Sequence, residues 1–250
     1  NRANGTICCR KESKMDNNKV LDEFVRDYYG TLAGGVYGKP VPVSADDTAL
    51  VIIDAQACVK EEYFVEGYKA MGVDVKPLMP ALDQLGENTD KALTNIAKIL
   101  GKCREKGIRP IHIKIESFLD DAKDTGRLHS SAGMYYPPGS PASGFCEEAM
   151  PKKGEIVLKK TCSGIHIGTP IDRIMRNLGI KSTIVVGFYT DQCVSTSIRD
   201  LSDLGYEVDM IEDAMTAMSK ERHERALQGI QKIYANSEST DELLARLEQL

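Results

Sequence analysis

The stretch Ser182-Thr-Ile-Val-Val-Gly187-Phe-Tyr-Thr-Asp-Gln-Cys193-Val-Ser-Thr-Ser-Ile-Arg-Asp200 joins a buried strand to a helix, and its reading decides the fold. Residues 182 to 187 are short, β-branched and apolar on both faces, as a strand in the middle of a parallel sheet should be. After Cys193 the apolar residues Val194, Ile198, Leu201 and Leu204 recur at helical spacing, and Gly205 follows as a stop signal. Cys193 is thus expected in the first turn of a helix. There the macrodipole and the orphan N–H groups favour a thiolate and lower the pKa of the sulfur. The same position also suits a small buried hydrophobe, the usual place of a free cysteine.

Working outward, the chain alternates strands with helices. Thr48-Ala-Leu-Val-Ile-Ile-Asp54 reads as a first buried strand, and residues 88 to 106 carry helical spacing at Ala92, Leu93, Ile96, Ile99, Leu100 and Cys103. Gly107 ends that helix, and Ile108 to Ile115 makes a second strand. Residues 116 to 153 are rich in Gly, Pro, Ser and Asp and are expected to form a long loop that acts as a lid or pocket wall. A third strand is expected at 155 to 159, a helix at 169 to 178, a strand at 206 to 211 and a helix at 219 to 234, with Ser219 as its N-cap. Such alternation implies right-handed βαβ crossovers, a parallel sheet and helices on both of its faces. Leu243, Leu244, Leu247 and Leu250 share one face of a helical tail, which packs either on its own domain or on a neighbouring subunit.

Composition bounds the function. At 250 residues, with 42% hydrophobic and 28% charged, the chain can bury a full core as one domain. The net charge of −5 and the lack of a Lys/Arg cluster argue against nucleic acid or an anionic membrane surface as partner and for a small molecule. No apolar run is long enough to cross a bilayer, and the first 20 residues hold no signal-peptide core, so a soluble, cytoplasmic protein is expected. Seven scattered cysteines fit a reduced compartment better than a disulfide framework, and the adjacent Cys8 and Cys9 are taken as incidental.

Three ionisable residues fall at equivalent places in this pattern. Asp54 closes the first strand, Lys159 closes the third, and Cys193 follows the fourth by a turn. In a parallel sheet those strand ends lie on one edge, where ligands bind in the crevice outside the carboxyl ends. A thiol must lose its proton to attack and a leaving group must gain one, which a carboxylate and an ammonium beside it would support. Each residue also has an ordinary reading: Asp54 as a turn cap and Lys159 as a solvated charge.

Four ordered motifs then resemble the cysteine hydrolases of the isochorismatase-like fold, a resemblance that extends to N-carbamoylsarcosine, ureidoacrylate and biuret amidohydrolases. They are Thr48-Ala-Leu-Val-Ile-Ile-Asp-Ala-Gln56, Lys159-Lys-Thr-Cys-Ser163-Gly-Ile-His-Ile-Gly168-Thr169, Gly187-Phe-Tyr-Thr-Asp-Gln-Cys193-Val194, and Gly205-Tyr-Glu-Val-Asp-Met-Ile-Glu-Asp213-Ala214. The resemblance implies a three-layer α/β/α domain over residues 46 to 235 with a six-stranded, mainly parallel sheet. Residues 1 to 45 would be an extension and 236 to 250 the helical tail. It implies Asp54, Lys159 and Cys193 as a catalytic triad, with Lys160 as the rival lysine; spacing to Ser163 favours Lys159. It also implies a cis Phe188–Tyr189 peptide and an oxyanion hole of the Tyr189 and Cys193 N–H groups. Gln56, Thr190 and Tyr135 are the expected substrate contacts, with Tyr63, Phe64 and Tyr136 as further pocket candidates.

Departures from the family pattern narrow the chemistry. Relatives that hydrolyse isochorismate lack the nucleophilic cysteine, so acyl transfer is favoured over ether hydrolysis. The segment Ala55-Gln-Ala-Cys-Val-Lys-Glu-Glu-Tyr-Phe64 has no histidine where metal-dependent nicotinamidases carry ligands. His112, His129, His166 and His223 are expected as hydrogen-bonded structural residues, and neither metal nor other cofactor is expected. The reading is a cysteine amidohydrolase that releases ammonia from a small amide or ureido compound, as a homo-oligomer, dimer or tetramer. Two alternatives stay open: a catalytically silent binding protein of this fold, and a redox-sensing thiol with Cys162 as resolving partner.

Overall fold

A computed structural model describes residues 17–28 and 40–250; Cys8 and Cys9, and most of the expected extension, lie outside the described residues. Six strands form one sheet: β1 (Thr48–Ile53), β2 (Arg109–Ile115), β3 (Ile156–Lys160), β4 (Ser182–Phe188), β5 (Glu207–Thr216) and β6 (Asn236–Glu238). Their spatial order is β3-β2-β1-β4-β5-β6, and every pairing is parallel. The direction of the chain's progress reverses between β1 and β4, which is the topological switch point where such sheets open a ligand crevice.

The helices are α1 (Asn17–Asp27), α2 (Glu61–Ala70), α3 (Met79–Glu105), α4 (Arg127–Ser131), α5 (Ile165–Gly168), α6 (Ile171–Asn177), α7 (Ser195–Asp203), α8 (Lys220–Ile230) and α9 (Thr240–Glu248). Period-two alternation in the central strands divides their side chains between two cores. Leu50 and Ile52 of β1 and Ile184 and Val186 of β4 pack with Leu93, Ile96 and Leu100 of α3 and with Leu243 and Leu247 of α9. Ala49, Val51, Ile53 and Val185 face Met175, Val194, Ile198, Leu201 and Ile230 on the opposite side. Because both faces are covered, β1 and β4 are buried along their whole length. The C-terminal helix accordingly packs on its own domain.

Three features differ from the sequence-based expectation. Helix α8 stops at Ile230, and the polar Asn236–Glu238 adds a sixth strand that no hydrophobic pattern announces. The pairing there is reinforced by side chains: Asn236 Nδ2 donates to Asp209 Oδ1 at 2.9 Å, and Arg246 meets Asp209 at 2.8 Å and Glu238 at 2.9 Å. Helix α3 begins nine residues earlier than expected, and α2 was not anticipated. The 116–155 crossover is not featureless; it carries α4 and two single 3-10 turns, Pro141–Ser143 and Glu147–Ala149.

One backbone contact fixes how β4 lies against β1. Gly187 has φ +124, and a Cβ there would fall on the carbonyl of Ile53. Only glycine accepts both the dihedral and the close approach. Gly187→Ala is therefore expected to lower unfolding free energy by about 3 kcal/mol, through left-handed strain plus overpacking. Urea denaturation reads this; a loss below about 1 kcal/mol would contradict it.

Candidate active site

Asp54 is the first residue past β1, and its φ of +52 lies in the left-handed region that aspartate tolerates better than most residues. Its N–H still donates to Ile113 O at 3.0 Å, so the chain turns out of the sheet while staying anchored to β2. Lys160 ends β3, and Cys193 lies in a wide turn, Thr190–Val194, between β4 and α7. The Phe188–Tyr189 peptide that leads into that turn is cis.

These three residues meet. Lys160 Nζ stands 2.8 Å from Asp54 Oδ2 and 3.5 Å from Cys193 Sγ, and also donates to Cys162 O at 3.0 Å. Exposure is 0% for Lys160, 3% for Asp54 and 4% for Cys193, so the cluster is sealed within the fold. Gly168 makes room for the lysine, because a Cβ there would come within 2.8 Å of Lys160 Cβ and 2.9 Å of Cys162 Sγ.

The lysine in the cluster is Lys160, not Lys159. Along β3, Ile156, Leu158 and Lys160 share one face, and Ile156 and Leu158 pack on the core that contains Cys193. Lys159 points the other way, 3.7 Å from Glu116 and over the Phe118 ring at 4.4 Å. The Ile156-Val157-Leu158 run is apolar on both faces, so alternation alone could not show which lysine turns inward.

The ionisation of the site also differs from expectation. Burial, then the Asp54 carboxylate, push the Cys193 thiol up to about 12, with Lys160 opposing in part. The helix begins only at Ser195, and its dipole does not offset the loss of water around the sulfur. Burial works against the charge of Lys160, but Asp54 and Cys193 outweigh it and raise that lysine above its ordinary value. The resting site thus sets a neutral thiol beside an ammonium. Asp54 Oδ1 is buried without a hydrogen-bond partner among the described residues, and the Asp54 carboxyl acts on the thiol.

The expected substrate contacts are engaged elsewhere. Gln56 is fully buried; Oε1 accepts from Ile115 N at 2.7 Å, while Nε2 donates to Ile115 O at 3.0 Å and Ser143 O at 2.9 Å. It staples the end of β2 to the crossover and has no amide N–H left to donate to a ligand. Thr190 is also buried, its Oγ1 2.8 Å from His223 Nδ1. Tyr135 is exposed, with its hydroxyl donating to Ser130 O at 3.3 Å. Tyr136 instead lies near the site, where Cys58 and Asp54 act on it. Phe64 packs on Tyr189 with ring centroids 6.3 Å apart. Among the histidines, His112 pairs with Glu155 at 3.0 Å, but His129 is buried with Nδ1 unpartnered, contrary to the expectation of a satisfied core histidine.

Residues 48–242 match the isochorismatase domain model. The chain belongs to the isochorismatase family. It is 32% identical over 132 residues to the uncharacterized isochorismatase family protein YrdC of Bacillus subtilis, covering 52% of this chain and 63% of that protein. It is 25% identical over 193 residues to the ureidoacrylate amidohydrolase RutB of Agrobacterium fabrum, covering 70% and 78%. The fold is that of the isochorismatase-like hydrolases: a cysteine hydrolase from Pseudomonas syringae superposes with a TM-score of 0.69 at 22% identity, covering 84% of this chain and 98% of that one. The chain is accordingly a hydrolase of this family.

The two lysines give a direct test of the site. Lys160→Met leaves Asp54 charged, buried and unpaired, and is expected to cost about 3–5 kcal/mol in denaturant unfolding. Lys159→Met removes only a part-exposed pair and is expected to cost less than about 1 kcal/mol. Equal losses, or the reverse order, would contradict the assignment.

Proposed function

We propose that the protein is a cysteine-dependent amidohydrolase that cleaves the C–N bond of a small amide or ureido compound and releases ammonia. The observation that carries this reading is the sealed Asp54–Lys160–Cys193 cluster with Asp54 Oδ1 unpartnered. The amidohydrolase name of the Agrobacterium relative supports it.

Because the resting thiol is neutral, the proton must leave as the sulfur attacks. Asp54 takes it, Cys193 Sγ bonds to the carbonyl carbon, and the carbonyl π electrons move to oxygen. The backbone N–H groups of Tyr189 and Cys193 receive that oxyanion; losing one such donor typically costs about 2.7–4 kcal/mol. As the C–N bond breaks, Asp54 returns the proton to nitrogen and ammonia leaves, which gives a thioester or, from a ureido substrate, a thiocarbamate. Water then attacks and Asp54 takes its proton; as the C–S bond breaks, Asp54 passes that proton to sulfur, which regenerates the thiol and leaves the acid or carbamate as product. Lys160 stays protonated throughout. Its role is to hold the Asp54 carboxyl in place through their 2.8 Å contact and to offset negative charge when it passes to sulfur.

Ammonia release from a panel of carboxamides and ureido compounds tests this reading. Wild type is expected to turn over at least one of them, and Cys193→Ala to lose activity on the order of 10⁴-fold or more, as removal of a nucleophile does in comparable sites. Undiminished turnover by Cys193→Ala, or no turnover of any compound by wild type, would overturn it.

A further inference from the structure

The 116–155 crossover brings one more side chain to the cluster. Its chain is tied to the strand ends at two points: Gly126 N donates to Thr161 O at 2.9 Å, one residue past Lys160, and Ser117 N donates to Tyr136 O at 2.8 Å, just past β2. Between these ties runs α4, and in it His129 is 3% exposed. Its Nδ1 is buried and has no hydrogen-bond partner among the described residues. A buried polar atom left in that state costs about 1–3 kcal/mol, so it calls for an explanation. The helix that carries it starts against Thr161, next to Lys160, and the charges of Lys160 and Asp54 both act on the ring.

We propose that His129 is a substrate-orienting residue that hydrogen-bonds a second neutral polar group of the substrate, a carboxamide or ureido unit next to the scissile carbonyl. This rests on the amidohydrolase reading and deepens it. A neutral imidazole offers one donor and one acceptor, and an amide or ureido unit presents the complementary acceptor and donor. Burial and the Lys160 ammonium hold His129 in that neutral form, with Asp54 acting the other way. An anionic tail would fit poorly: the Lys160 charge is engaged by Asp54, and Lys159 is turned toward Glu116. The crossover thus supplies a means of selection that the triad alone lacks.

The test compares malonamide, which has a second carboxamide, with butyramide, which does not. Wild type is expected to favour malonamide in kcat/KM by about 10-fold or more, mainly through KM. His129→Phe is expected to bring that ratio to within about threefold of unity, and His129→Gln to retain part of it. Calorimetric binding of malonamide to Cys193→Ala, with and without His129→Phe, reads the same contrast without turnover, and thermal melts confirm that each variant is folded. A ratio unchanged in His129→Phe, with wild type active, overturns the role of His129 and leaves the amidohydrolase reading intact. Absence of turnover by wild type on the whole amide and ureido panel overturns that reading itself. Malonamide that fails to bind Cys193→Ala overturns the present inference.

Discussion

An ammonium and a carboxylate held 2.8 Å apart out of contact with water, as Lys160 and Asp54 are, form an arrangement that stability alone does not favour. Taking both charges out of water costs about as much as their attraction returns, and apolar residues of similar volume often serve a fold equally well. What the pair provides is a carboxyl group fixed in place by the lysine, beside a thiol that burial keeps neutral. Burial raises the Cys193 thiol, Asp54 adds to the rise, and Lys160 limits it. In the proposed mechanism the nucleophile is therefore made during the reaction instead of being stored as a thiolate, with Asp54 as the group that takes its proton.

The rest of the structure can be traced from that requirement. Bringing together residues from β1, β3 and β4 requires strands whose carboxyl ends share one edge, which a parallel sheet supplies. Asp54 reaches its place through a left-handed turn at φ +52, and Lys160 through the space left by Gly168. The close approach of Gly187 to Ile53 sets β4, and with it the cysteine turn, directly against the aspartate strand. Covering the crevice falls to the 116–155 crossover, which is hydrogen-bonded to the ends of β2 and β3 and carries His129.

Much of this was legible in the sequence because the signals were local. The apolar β-branched run before Gly187 and the helical spacing after Cys193 gave the strand, the turn and the helix, and Asp54 stood at the end of an equally clear strand. The lysine was not legible: in Ile156-Val157-Leu158-Lys159-Lys160 both faces are apolar, so parity carries no information, and packing of Ile156 and Leu158 on the Cys193 side decides it. Gln56, two residues past Asp54, was expected as a substrate contact, yet a long-range need, the peptide of Ile115, occupies it. The same limit hid β6, whose polar residues pair through Asp209 and Arg246, and His129, whose environment is made by residues far away in the chain.

The claim on which the mechanism turns is that Cys193 rests as a thiol. Thiolate absorbance near 240 nm, taken as the difference between wild type and Cys193→Ala across a pH titration, measures that state directly. The cluster predicts no thiolate from this residue at neutral pH and a signal that appears only as pH approaches about 12. A difference signal already developed at pH 7 would contradict it.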